Sequence, residues 1–468
     1  MSVPYWVEDS VFYQIFPDRF ANGDFSNDPP NVQPWDGQVN PRGFFGGDLR
    51  GIVQRFDYLL DLGINALYLN PIFLSSSTHR YNTIDYYQID PRLGDMKDFQ
   101  ALLDVAHRNN VRVILDGVFN HCGRGFFAFD DLLENQDFSS YRDWFHVNRY
   151  PIDAFSPGEA DTYQAWWGIK SLPKFNTQNP QVRRYIFDIA RYWIERGADG
   201  WRLDVPNEID DDVFWAEFRH VVRSANPDAY LVGEIWDGQP RWVGKNHFDG
   251  LMHYPLREAT LGLVSGKHRV STFAQRIDEL LQLYARENVY SMYLLLGSHD
   301  TERILTLCDN DLQRVKLAYF VLFSMPGAPA IYYGDEVGLE GGKDPDCRRP
   351  FPWDERAWKP GMREWVRSLI AQRKRLAVLR RGDFRQAAVE DHGGCYAFTR
   401  SLGLDHLLGV LNASQRKHHI RLNVSELGWP DGQVLRDLLG GERYAVQEGC
   451  VELGLPALTG LWLYPQAS

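Results

Sequence analysis

The 468-residue sequence predicts an α/β fold: a closed (β/α)8 TIM barrel, with a small subdomain inserted after strand 3 and a C-terminal antiparallel β-sandwich. Three observations carry this. Eight short apolar runs recur between residues 11 and 336, amphipathic stretches separate them, and several runs are apolar at consecutive positions. Continuous apolarity marks parallel strands buried on both faces. An open doubly wound sheet is the competing architecture, but no Gly-rich dinucleotide turn follows the first run.

In chain order the strands are read at VFYQIF (11–16), INALYLNPIF (64–73), VRVILDGVF (111–119), GWRLDVP (200–206), YLVGEIW (230–236), GLMHYP (250–255), MYLLLGS (292–298) and APAIYYGDE (328–336). The clearest helix between them is 180–196, where Val182, Ile186, Ile189 and Trp193 recur at helical spacing. Asn179 is placed to cap it, Pro180 suits its first turn, and Gly197 suits its end. Residues 120–176, rich in Phe, Asp and Pro, break the alternation. A structureless loop of that length is uncommon in a compact domain, so they are read as the inserted subdomain. The barrel then takes 1–119 and 177–381, ending beyond a helix near 362–378. From 382 to 468, short runs such as YAFTR, LLGVLN and LWLYP, broken by Gly, Asn and Pro, predict the sandwich.

Composition narrows the partners. The net charge of −12 argues against nucleic acid or an anionic membrane, which would meet a basic surface. Aromatic residues make up 14% of the chain, enough both for a large core and for surfaces that stack on flat neutral rings such as sugars. The five cysteines, at 122, 308, 347, 395 and 450, form no C-x-x-C pair and are odd in number, which argues against a zinc motif and a disulfide framework. Cys122 is read as a packed thiol. The N-terminus has no signal-peptide pattern and no run is long enough to span a bilayer, so a cytoplasmic protein is expected.

Three acids fall at or just beyond strand ends: Asp204 after GWRL, Glu234 in GEIW and Asp300 in GSHD; Asp116 adds a fourth. Catalytic groups of such barrels occupy that face. A single acid there is usually a loop cap, whereas several converging on one rim must be offset by function or by cations. Arg202 lies two residues before Asp204, on the same strand face, where it can hold the carboxylate ionised. His121 and His299 can donate to sugar hydroxyls. One carboxylate, one carboxylic acid and ring-hydroxyl donors are the equipment of a glycosidase.

DGVFNH (116–121), GWRLDVPNE (200–208), GEIW (233–236) and GSHD (297–300) resemble, in order, the four signature stretches of the α-amylase family of glycoside hydrolases. LPKFN (172–176) resembles a stretch of its neopullulanase and cyclomaltodextrinase branch; GINALYLNPIF (63–73) and GAPAIYYGDEVGL (327–339) resemble two further stretches of the family as a whole. The resemblance implies that Asp204 is the nucleophile, Glu234 the acid/base, and Asp300 the group that grips and distorts the sugar beside the cleaved bond. It implies that Tyr81 stacks on that sugar, with His121, Arg202 and His299 around it. Asp344 and Arg348 are then the pair for the next sugar out, and Glu208 and Trp236 flank the leaving side. Asn82 stands where an Asp is common, and Pro206 and Glu208 replace the Lys-His ending of strict α-amylases, which points away from starch liquefaction. The branch usually carries an N-terminal β-domain through which it dimerises, whereas the barrel here begins almost at Met1. A more open cleft follows, with Trp166, Trp167 and Trp242 available to stack on longer chains, and any homodimer would use another surface.

Asn22, Asp24, Asn27 and Asp28 place four oxygen ligands in seven residues around a Gly turn, a pattern suited to Ca2+. A solvated Asn/Asp turn has the same composition. The resemblance implies calcium here, with Gly46 and Asp48 completing the shell in a structural role. The expected activity is retaining hydrolysis of α-1,4- and α-1,6-glucosidic bonds in maltodextrins, pullulan or branched glucans. Cyclomaltodextrinase action, transglycosylation or isomerisation on the same barrel, and a non-catalytic binding subunit are the alternatives.

Overall fold

The computed structural model describes residues 3–466. Eight parallel strands form the centre: β1 (Phe12–Ile15), β2 (Ala66–Leu69), β3 (Arg112–Gly117), β4 (Gly200–Leu203), β5 (Tyr230–Gly233), β6 (Gly250–Leu251), β7 (Tyr293–Leu294) and β8 (Ala328–Tyr332). Each expected run contains one strand. Neighbours pair in chain order, β8 pairs with β1, and a parallel bridge between Met252 and Tyr293 joins β6 to β7. The sheet thereby closes on itself, the architecture whose inward residues fill the lumen in layers.

One apolar cluster fills the lumen: Phe12, Ala66, Tyr68, Ile114, Tyr230, Val232, Tyr293 and Ala330, with Trp6 and Val7 at its base. The opposite strand faces pack on the helices. In helix Pro180–Glu195, Val182, Ile186, Ile189 and Trp193 are buried, and Asn179 caps it by accepting from Gln181 N at 2.8 Å. Gly197 adopts φ 105° beyond its end, a conformation that suits glycine.

The insertion after β3 has its own helix, Phe127–Asn135, and isolated bridges that return the chain to the barrel, including His121 with Lys174. Its core is aromatic: Phe126, Phe129, Trp144, Phe145, Tyr163 and Phe175 are all buried. After helix Met362–Arg375 the chain builds eight antiparallel strands, β9 (Asp383–Glu390), β10 (Cys395–Leu402), β11 (Asp405–Asn412), β12 (His418–Asn423), β13 (Val434–Asp437), β14 (Arg443–Ala445), β15 (Cys450–Leu455) and β16 (Thr459–Pro465). Six make one sheet, and β12 pairs with β15 in a second. Ala397, Val410, Leu422, Val451 and Leu453 pack between the two sheets.

Candidate active site

Alternate side chains of a strand share a face. On β1 the lumen face runs from Phe12 to Gln14, on β2 from Ala66 through Tyr68 to Asn70, and on β3 from Ile114 to Asp116. On β4 it runs from Gly200 through Arg202 to Asp204, and on β5 from Tyr230 through Val232 to Glu234. The lumen is therefore apolar at its base and ionic at its C-terminal rim. Register places Leu203 opposite Gly233, so Asp204 and Glu234 are the next residues of adjacent parallel strands.

The buried guanidinium of Arg202 organises the acids. Its Nη1 donates to Asp116 Oδ1 at 2.8 Å and to Asp204 Oδ1 at 2.9 Å, and Nη2 lies 2.9 Å from Glu234 Oε2. The backbone N–H of Val205, a residue with φ 34°, donates to Glu234 Oε2 at 3.1 Å, and the Trp236 indole donates to Oε1 at 3.3 Å.

A chain of hydrogen bonds fixes His299. Tyr68 and Tyr81 both donate to Asp116 Oδ2, at 2.6 and 2.8 Å, so their oxygens are free to accept from Asn70 Nδ2. That turns Asn70 Oδ1 toward Gln14, whose Nε2 donates to it at 3.0 Å and meets His299 Nδ1 at 2.9 Å. Nδ1 must then accept, which puts the imidazole proton on Nε2, 2.5 Å from the Tyr81 hydroxyl and 3.1 Å from Asp300 Oδ2. The Tyr81 and His299 rings lie parallel, 5.4 Å apart.

Asp300 sits six residues past β7, since that strand is shorter than its apolar run. Arg348 holds it at 3.2 Å, pairs with Asp344 at 3.0 Å, and donates to the His299 carbonyl at 2.8 Å. His121 is buried and stacks on Trp166, which stacks on the exposed Trp167 at 4.4 Å. Trp236, 46% exposed, stacks on Tyr254 at 3.8 Å. Glu208 binds Lys174 of the insertion at 3.3 Å. Asn82 is buried and accepts from Ser75 Oγ at 2.7 Å, a packing role. Trp242 is a correction: it is buried, packed on Phe248, and offers no platform at the rim.

Burial pushes the Glu234 carboxyl up to about 7; Arg202 opposes the rise, and the charges of Asp300 and Asp116 add to it. Burial is thus the leading cause. Burial raises Asp204 well above the usual carboxylate range and raises Asp116 as well; Arg202 opposes both, and its direct hydrogen bond to Asp204 Oδ1 at 2.9 Å favours the ionised form of that carboxyl. One guanidinium facing three carboxyls leaves a surplus of negative charge, so the cluster retains a proton near neutrality. Burial keeps His299 well below its usual range and His121 at about 3, so both imidazoles are neutral donors.

The Asn22–Asp28 loop lies apart from these acids. Asn22 Oδ1 and Asn27 Oδ1 are buried and accept no hydrogen bond among the described residues. Asn22 Nδ2 donates to Asp28 at 2.9 Å. A Cβ on Gly46 would fall 2.3 Å from Asp28 Oδ1, so this glycine permits the backbone to approach the cluster. Two orphaned carboxamide oxygens beside carboxylates fit a hard cation. Asp48 accepts from Gly51 N at 2.6 Å as a helix cap and from Asp24 N at 2.8 Å, while Asp24 turns its carboxylate to Ser26 and Arg50.

Gln14, Tyr68, Asn70 and Tyr254 belong to the constellation and were not singled out by sequence. Period-2 alternation from Phe12 and Ala66 was the available signal for the first three.

Residues 14–375 match the family model described as alpha amylase, catalytic domain. Neopullulanase 2 of Thermoactinomyces vulgaris is 42% identical over 466 residues, 99% of this chain and 79% of that protein. An intracellular maltogenic amylase of Bacillus subtilis is 40% identical over 424 residues, 90% of this chain and 71% of that protein. The cyclic α-maltosyl-(1→6)-maltose hydrolase of Arthrobacter globiformis superimposes with a TM-score of 0.90 at 38% identity, covering 99% of this chain and 100% of that one.

Proposed function

The chain belongs to the α-amylase family of glycoside hydrolases, and from that premise we propose that it cleaves α-1,4- and α-1,6-glucosidic bonds of maltodextrins, pullulan and branched glucans with retention of configuration. One observation carries the reading: Asp204 and Glu234 end adjacent parallel strands and meet one guanidinium at 2.9 Å each. Neighbouring strands are about 4.8 Å apart, in keeping with the roughly 5–5.5 Å between the carboxyls of retaining enzymes.

Glu234, with its carboxyl raised to about 7, holds the proton that the leaving glycosidic oxygen takes. Asp204 then attacks the anomeric carbon, and Arg202 carries its negative charge. The C–O bond to the leaving sugar breaks as the ester to Asp204 forms. Glu234, now ionised, takes a proton from water, whose oxygen displaces Asp204. His299 donates its Nε2 proton to a ring hydroxyl of the held sugar, with Asp300 accepting from the same region and Tyr81 stacking on the ring. Arg348 and Asp344 take the next sugar. Positioning of this kind lowers the barrier because the groups need not reorganise.

The Trp236–Tyr254 stack supports a second outcome. It lays an apolar platform beside Glu234 Oε1 on the leaving side, which favours a sugar acceptor over water. Transglycosylation then accompanies hydrolysis. The names of the Arthrobacter and Thermoactinomyces relatives support acceptance of 1→6 links and of pullulan.

In the Asn22–Asp28 loop, Asn22, Asp24, Asn27, Asp28, Asp48 and the backbone of Gly46 would hold Ca2+, which supplies a structural cross-link when bound. A cytoplasmic site of action accords with five free thiols and with the relative named intracellular. Incubation with maltotriose, β-cyclodextrin and pullulan, followed by product chromatography, tests the reading. Release of shorter maltodextrins from all three is expected; no turnover of any would refute it.

A further inference from the structure

We propose that Glu390, Cys395 and His418, in the C-terminal sandwich, form a binding site for a borderline-soft divalent cation of the zinc type. Among the described residues, this is the group of His, Cys, Asp and Glu side chains whose potential ligand atoms converge, all lying within 4.8 Å of one another. Glu390 and Cys395 stand directly opposite in the β9–β10 hairpin, so register fixes their spacing. His418 opens β12 and reaches across the hairpin turn. Its Nε2 lies 2.7 Å from Glu390 Oε2. A Cβ on Gly393 would come within 2.3 Å of that same nitrogen, so the glycine leaves the space the imidazole fills.

The donor set selects the cation. Thiolate and imidazole do not suit Ca2+ or Mg2+, whereas S, N and O donors together are typical of Zn2+ and Co2+. Tetrahedral bonds of about 2.0–2.3 Å put ligand atoms about 3.4–3.7 Å apart, so side-chain shifts of roughly an ångström bring these three onto a common centre. Among the described residues, the buried thiol donates only to the Gly393 carbonyl of its own turn, at 3.6 Å. Glu390 and His418 are 46% and 26% exposed, which gives the ion an entry path and a water for the fourth position. On binding, the Cys395 S–H bond breaks and its proton passes to solvent. The thiolate, the neutral imidazole and the carboxylate each donate one pair. Two anionic ligands balance the 2+ charge.

The site has a structural consequence. Asp391, next in the turn, accepts from Ser271 N at 2.8 Å and from Ser271 Oγ at 2.7 Å, in the first turn of barrel helix Val270–Gln282. An ion that locks the turn to β12 would thus tie the sandwich to the barrel.

The test titrates Co2+ into the full chain with Ca2+ in excess. One equivalent should bind with a thiolate-to-cobalt charge-transfer band in the near ultraviolet, displaced by Zn2+. Cys395→Ser should remove the band, and His418→Gln should weaken binding by about tenfold or more. Cys450→Ser should change neither. If the Cys395→Ser variant fails to fold, His418→Gln, at the partly exposed ligand, decides alone. No band in the wild type, or a band retained at full affinity in His418→Gln, overturns the proposal.

Discussion

Glu234→Gln should stabilise the protein above neutral pH while stopping turnover. The carboxyl moves from 4.5 to about 7 on folding because burial disfavours its charge. Folding therefore favours the protonated form. Below pH 4.5 both states carry the proton and Glu234 costs nothing. Between 4.5 and 7 the unfolded chain releases it and the folded chain does not, so stability falls as pH rises, reaching its floor above the folded value. At 1.36 kcal/mol per unit, the loss comes to about 3 kcal/mol. Gln keeps the shape and an acceptor for the Val205 N–H but has no charge to bury, and Arg202 retains Asp116 and Asp204. With about 2.1 cal/mol/K per residue of unfolding entropy, a chain of 468 residues converts this to about 3 °C. Melting curves of both proteins from pH 4.5 to 8 measure it. The variant should match the wild type at the acid end and melt about 3 °C higher at pH 8. A difference that does not change with pH, or a variant that melts lower at pH 8, would refute the claim that Glu234 is held protonated by burial.

Three further outcomes are expected. Asp204→Asn and Asp300→Asn should each lower kcat on the order of 10⁴-fold with folding intact; a tenth of wild-type activity in either would remove that residue from its role. Gln14→Leu strips the donor from His299 Nδ1 and Asn70 Oδ1, both buried, a loss of about 1–3 kcal/mol, and should lower kcat more than it raises KM; unchanged kinetics would show that His299 keeps its orientation without Gln14. Excess chelator should lower the melting temperature of the wild type, where saturating Ca2+ at about 100 times its Kd contributes about 2.7 kcal/mol, but not that of Asp28→Ala; equal curves with and without chelator would rule out a stabilising ion in the Asn22–Asp28 loop.

The barrel was legible because parallel strands buried on both faces must be apolar at consecutive positions, and all eight runs contain a strand. Strand length was less so. The run at 292–298 yields only Tyr293–Leu294, because apolar residues past a strand end are equally well buried under loops. The rim acids were legible from their place after strands. The layer beneath them was not, since Gln14, Tyr68 and Asn70 acquire meaning only when four strands face one lumen. Trp242 shows the limit for single aromatics. In a polar stretch of sequence, nothing separates a ring packed on Phe248 from one turned to solvent. Glu390, Cys395 and His418 lie up to 28 residues apart and meet only through hairpin register and a glycine turn.

The central claim is that Asp204 and Glu234 act as a nucleophile and acid/base pair across one anomeric carbon. The configuration of the first product formed tests it most directly. Proton NMR of maltotriose hydrolysis, recorded before mutarotation equilibrates the sugars, should show the α-anomer at the new reducing end. The β-anomer appearing first would mean direct attack by water and would contradict the account.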